Sequence, residues 1–274
     1  MSAKTSRSSR LSTNFVLLIG AALTSLPFFW MIFSSVKPRR EAVAYPPSLL
    51  PKQPTLEYFR ELFTQLNFSQ YLLNTLIVVA IGFVGMLLMA MAGYAFAKFH
   101  FKGRALMFVT VLATMMIPAQ VTMIPTYLIL NSVGLTNTLL GIALPTLVSA
   151  FSIFLFRQFM TTIPDEMLEA ARIDGAGELR VFISIVLPVS KPILAVQTVL
   201  TFIAGWNSFL WPLVIANDQS KYTLSVGLAL LNQQVSTNPS LQMAGASLMV
   251  VPILLVFVIF QRHIVQGFTL SGLK

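Results

Sequence analysis

The stretch Ile163-Pro-Asp-Glu-Met-Leu-Glu-Ala-Ala-Arg-Ile-Asp-Gly175 is a polar island in an apolar chain. Its punctuation predicts one short helix over residues 164–174. Pro164 suits the first helical position, where a missing N–H leaves no bond unmade. Asp165 and Glu166 fall in the first turn and complement the helix dipole. Gly175 is a natural C-terminal stop. A second short helix is expected over 178–185, ended by Pro188 and Pro192. Ala170 and Ala171 leave one face of the first helix nearly bare, so it can approach another surface closely. Glu169 beside them offers a fixed charge to an Arg or Lys partner. The helix pattern alone fits an amphipathic connector lying on a membrane surface equally well.

The sequence on either side decides the setting. Six stretches carry no charged residue: 14–36, 72–97, 105–130, 137–156, 193–216 and 243–261. Each has about the 20 residues needed to cross the hydrocarbon core. Of 274 residues, 56% are apolar and 10% charged, with a mean hydropathy of +0.79. An average soluble chain carries roughly 25% charged residues. Disorder is excluded, and a soluble single domain could not cover its surface with so few charges. The expected class is an all-α polytopic membrane protein with six transmembrane helices. Residues 1–13 form an N-terminal tail and 14–274 the six-span domain, with loop 157–192 between spans 4 and 5. The first span follows Lys4, Arg7 and Arg10 without a small-residue cleavage site, so it reads as an uncleaved anchor.

The net charge of +9 would by itself suggest nucleic acid, but its distribution reads as topology. With the N-terminus inside, the inner face holds Lys4, Arg7, Arg10, Lys98, Lys102, Arg104, Arg157, Arg172, Arg180, Lys191, Arg262 and Lys274. The outer face holds Lys37, Arg39, Arg40, Lys52, Arg60 and Lys221. The bias places both termini in the cytoplasm, against the local exception of Lys37, Arg39 and Arg40. Cysteine is absent, which removes disulfides, thiolate metal sites and cysteine nucleophiles. Residues 37–70 form a Pro-rich outer segment ending in an amphipathic stretch, and 217–242 form a second outer loop.

Polar and helix-breaking residues inside the spans should face protein or water. Span 3 carries Pro118, Gln120 and Pro125, which predicts an irregular wall over 117–127 or an ordinary proline kink. Span 5 carries Gln197, Thr198, Thr201, Asn207 and Ser208, with Trp206 and Trp211. Aromatic faces beside amides suit a sugar ring, so Trp206, Asn207, Trp211 and Gln120 are candidate substrate-path residues. The competing reading makes Trp211 an interfacial residue and Asn207 an interhelical hydrogen bond. Tyr94, Gly93 and Ala97 read as helix packing, and the methionines of spans 2 and 3 as adaptable packing.

The spacing of the loop is more specific than its pattern. Glu169-Ala170-Ala171, Gly175, Ile185, Leu187 and Pro188 fit E-A-A-x3-G-x9-I-x-L-P at every position. Seven fixed residues match by chance on the order of 10⁻⁸ per start position. This loop resembles the EAA signature of the membrane subunits of binding-protein-dependent ABC importers. The resemblance extends over most of the chain. It takes in Pro46-Pro-Ser-Leu-Leu-Pro51 leading to Thr55-Leu-Glu57, Ala92-Gly-Tyr-Ala-Phe-Ala97, Trp206-Asn207 and Gln261-Arg-His-Ile-Val-Gln-Gly267. The chain is most similar to the sugar-importing branch, typified by the smaller maltose permease subunit.

The resemblance implies the ABC type I importer permease fold in a bacterial or archaeal cytoplasmic membrane. It implies that the loop is a coupling helix seated in a separate ATPase. Glu169, Ala170, Ala171, Asp174 and Gly175 would make the docking face, and Leu187 and Pro188 would fix the exit into span 5. It also implies a second permease subunit (a heterodimer), two copies of the ATPase and an extracytoplasmic solute-binding protein. The chain has no Gly-Lys pair, hence no P-loop, so it is expected to bind no cofactor and to perform no hydrolysis. ATP and Mg would belong to the partner ATPase. The cargo expected from this branch is a sugar or oligosaccharide, with glycerol phosphate or a related polyol as the alternative. A secondary transporter is the remote rival, because cation-coupled carriers often hold an intramembrane carboxylate and this chain has none. Two Ser-x-x-Lys matches (Ser34–Lys37 and Ser271–Lys274) have no companion motif and read as chance.

Overall fold

In a computed structural model the chain is described over residues 7–234 and 237–271. Lys4 and Lys274 lie outside the described residues, as do the side chains of Arg7, Arg10 and of residues 263–267. Four helices are long and apolar enough to cross a membrane: Thr13–Ser35 (span 1), Phe68–Lys98 (span 2), Lys191–Ile215 (span 5) and Pro239–Arg262 (span 6). Two bent helix pairs supply spans 3 and 4, which brings the number to the six expected. The described elements are helices joined by turns and loops, because a lipid-facing backbone has to satisfy its own N–H and C=O groups.

The contacts divide the chain into two units. The first comprises residues up to Asn67 together with Leu228–Val250. Its span 1 is apolar, and its most apolar stretch is unburied among the described residues. The Pro-rich segment after it is tightly folded. Lys37 is only 2% exposed. It donates to the Ser48 carbonyl and lies 4.6 Å from the centre of the Trp30 ring. Glu41 accepts from Ser48 Oγ at 2.7 Å and from the Lys52 backbone N–H at 2.9 Å. These bonds hold the Glu41 carboxyl below its ordinary pKa, the Ser48 hydroxyl contributing most. The amphipathic helix Glu57–Gln65 buries Tyr58 and Leu62, one turn apart on one face. The Tyr58 hydroxyl accepts from the Arg39 backbone N–H at 2.7 Å. Lys37, an exception to the inside bias of positive charge, is therefore a buried staple within its own loop.

The second unit, Phe68–Gly227 and Val251 onward, is arranged around span 2. This 31-residue helix contains no proline and buries residues on several faces. It packs on the helix Ala150–Met160 of span 4 and on Lys191–Trp206 of span 5. The approach to span 4 depends on glycine. A Cβ at Gly85 would stand 2.6 Å from the Leu147 carbonyl oxygen, and one at Gly93 would stand 2.5 Å from Phe156 Cβ. Small residues that bring backbones together are the main means of packing helices in lipid.

Span 3 differs from the single stretch expected over 105–130. It consists of Arg104–Thr114 and Ala119–Ser132, bent by 102°. Pro118 lacks the donor that would continue the helix, and it disfavours helical backbone at Ile117. The first helix closes on tightened bonds from Met115, Met116 and Ile117 to the carbonyls three residues back. Pro118 then stands just before the second helix. Span 4 bends by 43° between Leu139–Thr146 and Ala150–Met160. Ser149 restarts it by accepting the Ser152 N–H at 3.3 Å. Its helix continues to Met160, past the expected end at 156.

Candidate coupling face and transport wall

The signature loop folds close to expectation. Its first helix is Asp165–Ile173, with Pro164 one position outside it and Gly175 at φ +83° after the end. A left-handed residue at that position is the usual glycine stop. The second helix departs from the sequence reading. Glu178–Val181 continues through a wide π turn, Phe182–Val186, into Leu187–Val189. Pro188 therefore does not end the helix. The π turn makes room for the proline ring and its missing N–H. Pro192 sits in the first turn of Lys191–Trp206, where proline is tolerated.

The short helix has two distinct faces. Leu168 is buried, and Met167 and Ala171 pack on a cluster with Ile163, Val181, Phe182 and Tyr94. Glu166, Glu169, Ala170 and Ile173 form the opposite stripe and are exposed. Of the residues selected from sequence, Glu169, Ala170, Asp174 and Gly175 share the open side. Ala171 turns partly inward, and Leu187 packs on the same cluster while Pro188 is exposed. Ile173, 86% exposed, was missed. Its spacing of four from Glu169 was the available signal.

The helix is tied at both ends to the last turn of span 2. Lys98 Nζ donates to Asp165 Oδ1 at 2.7 Å and to the Ile163 carbonyl at 2.5 Å. The Lys98 side chain is 5% exposed and that of Asp165 73%. At the other end Arg172 donates to Glu178 at 2.7 and 3.3 Å. Tyr94 donates its hydroxyl to the same carboxylate at 3.4 Å. Hydrogen bonding and charge from Lys98 hold the Asp165 carboxyl below its ordinary pKa. Arg172 does the same to Glu178, and Glu178 raises the Arg172 guanidinium in turn. These shifts favour the ionised forms of Asp165, Glu178 and Arg172. Arg157 adds a tie from span 4, donating to the Phe96 carbonyl at 3.3 Å with its guanidinium 4.0 Å from the Phe108 ring centre.

A cavity of about 250 Å³ lies between spans 2, 4 and 5. Val78, Val79, Gly82 and Met89 form one wall, and Leu200, Thr201, Ala204 and Gly205 another. Thr146, Ser149 and Ser152 supply hydroxyl-bearing side chains from span 4, and no lining residue is charged. None of the candidate path residues selected from sequence lines this space. Trp206 is buried and stacks on Phe202 at 5.1 Å. Asn207 is exposed at the break in span 5. Trp211 donates its indole N–H to the Gly141 carbonyl at 3.3 Å. Gln120 is exposed in the first turn of the second span-3 helix.

At the opposite end of span 2 a polar network fixes residues 215–224. Asn137, at φ +57°, donates its N–H to the Ile215 carbonyl at 2.9 Å. Its Oδ1 accepts from the backbone N–H groups of Asn217 and Asp218, both at 3.0 Å. Asn74 donates to the carbonyls of Ser220 and Tyr222 at 2.8 and 2.9 Å. Thr75 Oγ1 accepts from the Leu224 N–H at 2.8 Å.

Comparison with known proteins agrees with this architecture. Residues 89–270 match the family described as binding-protein-dependent transport system inner membrane component. The signature loop lies inside that match. The chain is 34% identical to the arabinooligosaccharides transport system permease protein of Halalkalibacterium halodurans, over 93% of this chain and 92% of the relative. It is 34% identical to the sn-glycerol-3-phosphate transport system permease protein of Brucella abortus, over 94% and 95%. The diacetylchitobiose uptake system permease protein of Streptomyces coelicolor is 34% identical, over 91% and 84%. A chain from the crystal structure of a bacterial ABC transporter that imports the acidic polysaccharide alginate superposes with a TM-score of 0.81. That chain is 26% identical, and the match covers 96% of this chain and all of the other. The six spans, the signature loop and these matches together make the chain a membrane-spanning permease of the binding-protein-dependent transport system inner membrane component family.

Proposed function

We propose that this permease carries a sugar or oligosaccharide inward, driven by ATP hydrolysis on a separate subunit. The observation that carries the reading is the exposed Glu166, Glu169, Ala170 and Ile173 stripe, on a short helix held rigidly at the edge of the membrane domain. Small residues allow close approach, carboxylates meet cationic partners, and one apolar side chain can seat in a hollow. In this reading Glu169, Ala170, Asp174 and Gly175 form the face that meets the ATPase, with the half-buried Ala171 at its inner edge and with ATP and Mg bound by that partner. Leu187 and Pro188 fix the exit into span 5. Two ATPase subunits, a sister permease and a solute-binding protein on the outer face complete the assembly. Both termini lie in the cytoplasm, and residues 215–224 belong to the outer rim that the binding protein meets.

The hydroxyl-bearing, uncharged cavity supports a neutral sugar as cargo. Glycerol phosphate is the second reading, and the Brucella relative's name favours it. Trp206, Asn207, Trp211 and Gln120 remain candidates for the path beyond this cavity. The test combines Glu169→Arg with Ala170→Trp in the assembled transporter. The double variant should insert normally and lose ATP-driven uptake, and undiminished uptake would refute the docking face. Equilibrium binding of arabinotriose, diacetylchitobiose and glycerol 3-phosphate to the partner binding protein separates the two cargo classes.

A further inference from the structure

Tyr94 and Lys98 are four residues apart, on one face of the last turn of span 2. Lys98 holds the start of the coupling helix through Asp165 and the Ile163 carbonyl. Tyr94 meets Glu178, which holds Arg172 near the helix end. Asp165 and Arg172 are about 10 Å apart along the axis, so one turn of span 2 grips nearly the whole length of the helix. A nearly buried ammonium keeps its partners, because an unpaired charge in that setting is costly. Span 2 continues unbroken from Lys98 to Met89, Gly82, Val79 and Val78, which line the cavity. Spans 4 and 5, the loop's covalent neighbours, also reach the cavity as helices, Ala150–Met160 and Lys191–Trp206, but the 43° bend and the break at Asn207–Phe209 interrupt them at the cavity and just beyond it. Each of the other described spans also contains proline, whereas span 2 has none.

We propose that the last turn of span 2 is a second lever of the transporter. Tyr94 and Lys98 act as positioning residues that grip both ends of the coupling helix and carry its displacement directly into the cavity wall. The proposal rests on the coupling reading above. It adds a route that does not pass through spans 4 and 5.

The test uses the complete transporter in proteoliposomes. The chain has no cysteine, so an introduced one is the only thiol it contributes. Val79→Cys reports on span 2 and Thr201→Cys on span 5, both at the cavity. The readout is the rate of labelling by a small maleimide, without nucleotide and after trapping with MgATP and vanadate. With the native grip, both rates should differ about tenfold between the two states, an ordinary size for allosteric coupling. In the Lys98→Met, Tyr94→Phe background the Val79→Cys difference should fall below about twofold while Thr201→Cys keeps its own. Lys98→Arg keeps the donor and should keep the difference. The exchange Lys98→Asp with Asp165→Lys should restore at least part of it. An undiminished response at Val79→Cys overturns the lever. So does loss at both reporters, which would give the pair a merely structural role, and so does an exchange that restores nothing. Failure of the coupling reading is distinguishable, because Glu169→Arg with Ala170→Trp would then leave both reporters responsive. If only the lever fails, that variant is silent at both reporters while Lys98→Met, Tyr94→Phe responds at both.

Discussion

Replacing Gly93 by alanine tests the close approach on which span 2 depends. The added Cβ would stand 2.5 Å from Phe156 Cβ and 2.9 Å from the Arg157 backbone nitrogen. Comfortable carbon contacts begin near 3.5 Å, so spans 2 and 4 would have to part by about 1 Å. Neither neighbour yields easily. Phe156 is fully buried, and Arg157 is fixed by the Phe96 carbonyl and the Phe108 ring. Overpacking of this kind costs about 1–3 kcal/mol, and obstruction by backbone and Cβ points to the upper half. Alanine returns about 1 kcal/mol through its helix propensity, which leaves a net loss of about 1–2 kcal/mol. Gly20→Ala is the control. Nothing lies within 4 Å of its Cβ, so only the propensity gain of about 1 kcal/mol remains. The assay is unfolding of both variants in mixed micelles of rising SDS fraction, followed by circular dichroism. The two should shift in opposite directions. A Gly93→Ala variant stabilised like Gly20→Ala would refute the packing argument, since it would mean that spans 2 and 4 are not in contact there.

Three further outcomes follow from the same geometry. Asp165 and Glu178 have lowered pKa values, so their contribution is present above the ordinary carboxylate range and lost as pH falls through the lowered values. The difference in thermal midpoint between the native chain and Asp165→Asn should therefore be constant from pH 8 to 5 and shrink toward pH 3; a gap that widens on acidification contradicts the sign. Asn137→Ala loses two accepted bonds and puts a less tolerant residue at positive φ, which should cost about 1–3 kcal/mol and speed proteolysis within 215–224; unchanged proteolysis would disprove the pin. Ile173→Ser removes an exposed apolar side chain and should leave the melting temperature within error while reducing co-purification of the ATPase several-fold; full retention of the ATPase would remove Ile173 from the docking face.

Local signals made the signature helix legible. Proline before it, acids in its first turn and glycine after it act within a few residues, and the helix began and ended within one residue of expectation. The neighbouring helix was less legible because Pro188 has two outcomes, a stop or a widened turn. Packing of Phe182 and Val186 into the apolar cluster selects the second. Span 3 shows the same limit at larger scale. Pro118 announces a break, but the 102° turn depends on what the two halves pack against. Lys37 looked like a misplaced topological charge. Its burial needed Ser48 and Trp30, which a charge count does not connect to it. The cavity was the least legible feature. Thr146, Ser149, Ser152 and Thr201 are unremarkable small residues in separate spans, and they form a site only where three helices converge.

The charge of the signature loop gains meaning from the ion pairs. Between residues 157 and 192 there are five carboxylates: Asp165, Glu166, Glu169, Asp174 and Glu178. Among the described residues, the two that form ion pairs are Asp165 with Lys98 and Glu178 with Arg172. Both pairs fix the helix from its flanks. Glu166, Glu169 and Asp174 remain on the open side around Ile173. The pairing thus sorts one acidic segment into charges that hold the helix and charges that face outward. A partner fitted to this surface presents cationic side chains around an apolar hollow. Rim charges of that kind mainly set the association rate and its salt dependence, whereas a seated isoleucine sets residence time. Raising ionic strength should therefore slow assembly of the permease with its ATPase more than it speeds dissociation, and Ile173→Ser should do the reverse. That division keeps the charges that grip the helix, paired with Lys98 and Arg172, separate from the unpaired charges of the proposed docking face.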